Sequence, residues 1–252
     1  MNGENIAGHR ARLREKYRLG GPDGFLDYEI LELLLTYAVP RKDVRPLAKK
    51  LITEFHSLAG VVDAELSQLE ETSGLGKNSA LLIKLIRDLS VRYLRQNIDN
   101  ADFIQHAENF ASYARLRLGE RTSEVMMVFY LNAKNMLLDV STLGEGTTDA
   151  VTVYPDTIAK KALLKGARSV VLCHNHPGGI SHPSQEDRRV TMEVKKALRI
   201  LNIRLLDHLI VSKYDYFSFR DADRCSGSVC DRVLDPYPAA EACEDDAEEK
   251  EL

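Results

Sequence analysis

An apolar run that breaks off into histidines constrains this chain more than any other stretch: Val170-Val-Leu-Cys-His-Asn-His-Pro-Gly-Gly-Ile-Ser-His-Pro-Ser-Gln-Glu-Asp187. Val and Leu dominate residues 169–173, which are entered from a polar Gly-Ala-Arg-Ser turn and read as a buried strand. His174 and His176 stand two apart, so the strand period of two sets both imidazoles on one face. Pro177, Gly178, Gly179 and Pro183 continue neither strand nor helix, and the chain must loop before Ser184 opens the next element. Asp187 follows within the first helical turn.

Two imidazoles on a strand face and a carboxylate returned by a short loop form a three-ligand set suited to Zn2+, with a fourth tetrahedral position for water. An open position points to catalysis rather than scaffolding. Zinc lowers the pKa of its bound water to about 7, and an unligated Glu nearby would shuttle the proton. The same residues have plainer uses: a pair of satisfied structural histidines, and Ser184-x-x-Asp187 as a capping box that starts a helix.

The pattern His174-x-His176-x(7)-Ser184-x-x-Asp187 matches the JAMM signature of the JAB/MPN metalloproteases without a gap, and the surrounding text resembles the bacterial RadC family. The resemblance extends over residues 8 to 220 through Gly8-His9-Arg10, Asp27-Tyr-Glu-Ile-Leu-Glu-Leu-Leu-Leu35, Pro40-Arg-Lys-Asp43, Gly144-Glu-Gly-Thr147, His174-Asn-His-Pro177 and Leu206-Asp-His-Leu-Ile210. It implies an α+β protein: an N-terminal all-helical module of the helix-hairpin-helix type, then an α/β JAMM domain, MPN-like and cytidine-deaminase-like. It further implies Zn2+ on His174, His176 and Asp187. Glu124, at the start of a buried strand after a helix, stands where JAMM proteins place their catalytic Glu; Glu120, Glu145 and Glu186 are rivals. In the same resemblance Ser184 positions the water or stabilises the oxyanion. The chain departs from the family at Gly178-Gly179, where His-Pro-Ser-Gly is common, and in its acidic tail.

The expected boundaries are a helical domain over 1–98, a JAMM domain over 102–224 and an acidic disordered tail over 225–252. The net charge of -4 hides the contrast between the tail, with two basic against nine acidic residues, and a slightly basic remainder. That remainder is compatible with nucleic acid without demanding it. No apolar run approaches the roughly 20 residues that span a bilayer, and the start of the chain lacks a signal-peptide core, so the cytoplasm is the expected location with no membrane partner. Cys173 falls in a strand and Cys225, Cys230 and Cys243 in the tail, which is no disulfide framework. Cys225-x(4)-Cys230 offers at most half a metal site.

Residues 5 to 18 form a short basic helix with Arg10, Arg12, Arg14, Lys16 and Arg18, either a solvated surface or a phosphate-contacting arm. Asp27 and Asp43 are candidate caps of the next two helices. Gly74-Leu75-Gly76-x-x-x-Ala80 resembles a helix-hairpin-helix: its glycines permit a tight turn, Leu75 can point inward, and the N–H groups of Gly74, Gly76 and Lys77 can cradle a phosphate. An interhelical turn that binds nothing, or that holds a partner protein, fits the same residues. A long amphipathic helix follows over 76–95, and the polar stretch 96–102 reads as a linker.

In the second half a helix over 102–118 precedes strands at 125–131 and 136–140, a third at Ala150–Val153, a helix from Pro155 to Leu164, the histidine strand, a helix from Ser184 to Leu201, and strands through 203–211 and 214–219. Such alternation indicates a mixed sheet flanked by helices. Asp207 and His208 are either partners of a ligand imidazole or a hydrogen-bonded core pair. Asn175 and Cys173 alternate away from the ligand face as structural residues, and His182 in the loop faces substrate or solvent. The expected activity is a zinc hydrolase cleaving peptide or isopeptide amides of a protein or peptide substrate. The rival is a DNA-associated repair or recombination accessory protein, its helical module on nucleic acid and its JAMM domain a nuclease or recruitment module.

Overall fold

A computed structural model describes residues 3–119, 121–145, 155–213, 215–225 and 234. The chain forms two compact units, Met1–Tyr93 and Leu94–Leu252.

The first is helical, with α1 (Gly3–Gly20), α2 (Asp27–Ala38), α3 (Arg45–Phe55), α4 (Leu58–Asp63), α5 (Leu66–Glu71) and the start of α6 (Lys77–Asp99). Densely apolar α2 is its core helix: Leu31 and Leu35 are buried with Leu51, Val61, Leu69 and Ile83. Asp27 does not cap α2 as expected but is its first helical residue. The Glu29 carboxylate takes the Leu26 N–H at 3.1 Å instead, and Asp27 accepts the Leu58 N–H at the start of α4. Asp43 is not the cap of α3 either, since Val44 holds that position, but from one residue earlier it accepts the Arg45 N–H at 3.0 Å just before Pro46 fixes the first turn.

The stretch expected as a linker is helical through Asp99. Its polar residues read as coreless, but Ile98 among them is fully buried, and that burial anchors a helix where composition alone suggests coil.

The second unit holds α7 (Phe103–Leu118), β1 (Val125–Leu131), β2 (Leu137–Glu145), α8 (Pro155–Leu164), β3 (Ser169–Asn175), α9 (Gln185–Ile200), β4 (Arg204–Val211), β5 (Tyr216–Ser218) and α10 (Phe219–Cys225). One sheet runs β2-β1-β3-β4-β5. Among the described residues only β3 and β4 are parallel, joined through α9 as a parallel step requires. Ile158, Ala162, Val194 and Leu198 of α8 and α9 pack on one face against Val128, Tyr130, Val170 and Leu172, while Phe110 of α7 meets Phe129 edge-on from the other. Covering both faces explains why all seven residues of β1 and of β3 are buried. This is the expected α+β arrangement with a mixed sheet.

The strand expected at Ala150–Val153 lies outside the described residues, as does the tail beyond Cys225 except Leu234. Leu234 departs from the expected disorder: it is buried in the core of the second unit, and its N–H is accepted by Asp223 Oδ2 at 2.7 Å.

Candidate metal centre

β3 carries His174 as its penultimate residue, and His176 lies one residue past its end, still in line because its N–H donates to the Val211 carbonyl of β4 at 2.9 Å. The period of two therefore holds across the strand end, and the rings meet with Nε2 atoms 2.9 Å apart. Gly179 adopts a φ of +83°, open to glycine at little cost, and its N–H donates to the His176 carbonyl. The loop thereby brings the Ile180 carbonyl within 2.8 Å of His176 Nδ1, which must be protonated to bond it. A neutral His176 then presents the Nε2 lone pair to the centre.

Ser184 ends the loop as the N-cap of α9. Its hydroxyl accepts the Asp187 N–H at 3.1 Å and donates to Asp187 Oδ2 at 2.6 Å, while its own N–H donates to the same oxygen at 2.7 Å. The capping box and the ligand reading of Asp187 are thus one arrangement, because the cap aims the carboxylate. Asp187 Oδ1 lies 3.0 Å from His174 Nε2 and Oδ2 3.4 Å from His176 Nε2. Burial by itself would raise the Asp187 carboxyl; with no cation between them, protonated His174 and His176 rings and the Ser184 hydroxyl hold it well below the carboxylate range, and the Asp187 contact raises His176 in turn.

One ligand atom from each of His174, His176 and Asp187 lies within 4.8 Å of the others, the only such group among the described residues. This donor set fits a zinc ion. Two imidazole nitrogens this close, facing a carboxylate, are mutually repulsive as bare lone pairs and become compatible around a shared cation. The His174 side chain is 3% exposed, against 16% for His176 and 14% for Asp187, so what solvent contact the cluster has is chiefly at His176 and Asp187.

Glu124 is placed by strand register. The β1–β3 register ends with Met126 facing His174, and Glu124 lies two residues before Met126, immediately ahead of β1. Its negative charge contributes to the raised pKa of His176. Asn175, fully buried between the two histidines, holds this segment: Oδ1 accepts the Val125 N–H at 2.8 Å, and the amide donates to the Ser123 carbonyl at 3.0 Å and the Arg121 carbonyl at 3.3 Å. Among the rivals, Glu186 is tied to Arg189 at 2.5 Å, the Glu145 backbone lies opposite Val125 on β2, and Glu120 lies outside the described residues.

The side chains of Asp207 and His208 point to opposite faces, as strand neighbours do, and the two are joined only through the His208 N–H, which Asp207 Oδ1 accepts at 2.7 Å. His208 Nε2 lies 2.8 Å from His174 Nδ1 and its Nδ1 lies 2.6 Å from Thr191 Oγ1. Burial holds the His208 pKa well below its ordinary value. Asp207 on the other face accepts from the Ser218 hydroxyl and the Arg220 N–H. The sequence reading left the role of His208 open and missed Thr191; Thr191 sits one turn beyond Asp187, the available signal. His182 is exposed against the edge of Phe217, and Cys173 is buried.

In the helical unit, Gly74 turns with φ +96°, Leu75 is buried, and Lys77 begins α6. A cavity of about 400 Å³ is lined by Lys42, Gly74, Gly76, Lys77 and Ser79. Three basic residues of α1 are engaged within the unit: Arg10 donates to the Val39 and Lys42 carbonyls, Lys16 pairs with Glu29 at 2.8 Å and Arg18 with Glu15 at 3.7 Å.

Comparison with known proteins adds three findings. Residues 104–224 match the model of a RadC-like JAB domain. A UPF0758 protein of Fusobacterium nucleatum is 38% identical over 226 residues, covering 87% of this chain and 97% of that one. A UPF0758 protein of Ruegeria pomeroyi is 37% identical over 215 residues, covering 85% and 96%.

Proposed function

The chain belongs to the RadC family, with a JAB/MPN domain in its second half, and on that premise we propose that it is a zinc-dependent metallopeptidase-type hydrolase acting on peptide or isopeptide amides of a protein or peptide substrate. The observation that carries this reading is the convergence of His174, His176 and Asp187, with the charge of Glu124 near enough to act on His176. Bound there, zinc would supply an acidified water and polarise the scissile carbonyl.

The protein's own groups do the rest. Glu124 takes a proton from the attacking water and returns it to the leaving amine, a role suited to an acid at the partly open edge of the cluster. Ser184 spends its hydroxyl proton on Asp187 Oδ2, so in this arrangement it orients the ligand carboxylate; a contribution to the oxyanion requires that hydroxyl to turn. The test is cleavage of a peptide library by the purified protein with and without chelator. Chelator-sensitive cleavage, abolished in Glu124→Gln while zinc is retained, supports the proposal. Nucleic-acid turnover abolished by the same variant would instead identify a nuclease.

A second reading, DNA association through the helical unit, rests on the Gly74-Leu75-Gly76 hairpin and the cavity between Lys42 and Lys77. It expects affinity that falls steeply with salt and is lost in Lys77→Glu. The sequence expectation of no membrane partner and a cytoplasmic location stands as part of this proposal; among the described residues no helix is long and apolar enough to cross a membrane.

A further inference from the structure

His208 and Thr191 lie fully buried behind His174. We propose that they are positioning residues that set the proton of His174 on Nδ1 and so turn its Nε2 lone pair into the centre. The purpose of this arrangement rests on the zinc reading above; its geometry does not.

The order of donors follows from one group that can only accept. The main-chain carbonyl of Asp187 has no proton to give, so the Thr191 hydroxyl 2.5 Å away donates to it. With that proton spent, Thr191 Oγ1 can serve His208 Nδ1 only as an acceptor, and Nδ1 must carry the hydrogen. His208 is enclosed by Thr191, His174 and the face of Phe219, whose ring stacks on it at 5.3 Å and 12°. No carboxylate bonds to its ring among the described residues, Asp207 accepting only its main-chain N–H, and a second ring proton would leave an uncompensated charge in an apolar site. Its Nε2 is therefore bare and accepts from His174 Nδ1 at 2.8 Å. His174 Nε2 is left facing Asp187 Oδ1 and His176 Nε2.

The path closes on itself. Asp187 contributes its carboxylate to the centre and, through its main-chain oxygen, the acceptor that orders every proton back to His174. Thr191 reaches that oxygen because it lies one turn farther along α9. His208 reaches His174 because the parallel pairing of β3 with β4 sets it opposite Leu172, two residues back on the same face.

Removing the hydroxyl with nearly unchanged shape, as in Thr191→Val, frees His208 to carry its proton on Nε2. His174 would then accept on Nδ1 and push an N–H into the centre. Partners that hold metal ligands typically contribute ten- to a hundredfold to affinity. Chelator competition on the full chain should thus show zinc binding ten- to a hundredfold weaker in Thr191→Val and restored in Thr191→Ser. In the metal-free wild type, long-range proton–nitrogen NMR should find His208 protonated on Nδ1 and bare on Nε2. Equal zinc affinity in Thr191→Val and wild type, or the opposite His208 tautomer, overturns the proposal. Should Thr191→Val fail to fold, the wild-type tautomer decides. A wild type that binds no zinc defeats the metal reading instead, and the tautomer measurement still decides the proton order.

Discussion

Asn175 accepts the Val125 N–H at 2.8 Å across the boundary where β1 begins, so the residue between the two histidines also fixes the segment that carries Glu124. The strand that presents the ligands thereby sets the height of the acid. Asn175→Ala leaves that buried N–H without its acceptor, a loss of about 1–3 kcal/mol in stability. Zinc content should survive, because both ligands stay on β3. Urea unfolding checks the first expectation and metal analysis the second; a variant as stable as the wild type contradicts the bridging role.

Asp207 predicts a pH dependence. Burial raises its carboxyl from 3.8 to about 7, against the opposing hydrogen bonds from the Arg220 N–H and the Ser218 hydroxyl. A folded pKa above the unfolded one means that the folded protein holds this proton longer. The associated stability is full below about 3.8 and is lost as the pH rises through about 7. In chelator-treated protein, stability should fall more steeply for the wild type than for Asp207→Asn between about pH 4 and pH 7, by more than about 1 kcal/mol. Parallel profiles in urea unfolding would contradict it.

Leu234 ties a residue of the acidic tail into the core of the second unit. Leu234→Ala should lower the stability of the protein by about 2–5 kcal/mol, as core Leu→Ala changes do. Thermal unfolding measures this, and an unchanged midpoint would show that Leu234 contributes nothing there.

Gly179 stands at φ +83° with open space where a Cβ would point, so Gly179→Ala meets backbone strain rather than a clash. The strain is about 1–2 kcal/mol, and relieving it turns the loop and draws the Ile180 carbonyl away from His176. Zinc affinity should weaken several-fold with the global unfolding midpoint little changed; wild-type affinity in a chelator titration would show that the loop does not hold the ring.

Local pattern made part of this legible in the sequence. The strand period placed His174 and His176 on one face, the Pro and Gly residues placed the loop, and the spacing to Asp187 placed the carboxylate on the first turn of α9. Long-range pairing was not legible. Which strand lies beside β3 decides that His208 backs His174, and which residue of β1 faces His174 decides that Glu124 enters the sheet near the histidines; neither follows from periodicity. The helical extension through Ile98 and the burial of Leu234 escaped for the same reason, since composition reports polarity and not the hole a single apolar side chain fills.

Zinc content of the purified wild type and of His176→Ala tests the central claim most directly. The account predicts one zinc per wild-type chain and none in the variant, with both folded by circular dichroism. Full occupancy in His176→Ala, or a wild type that takes up no zinc, would contradict it.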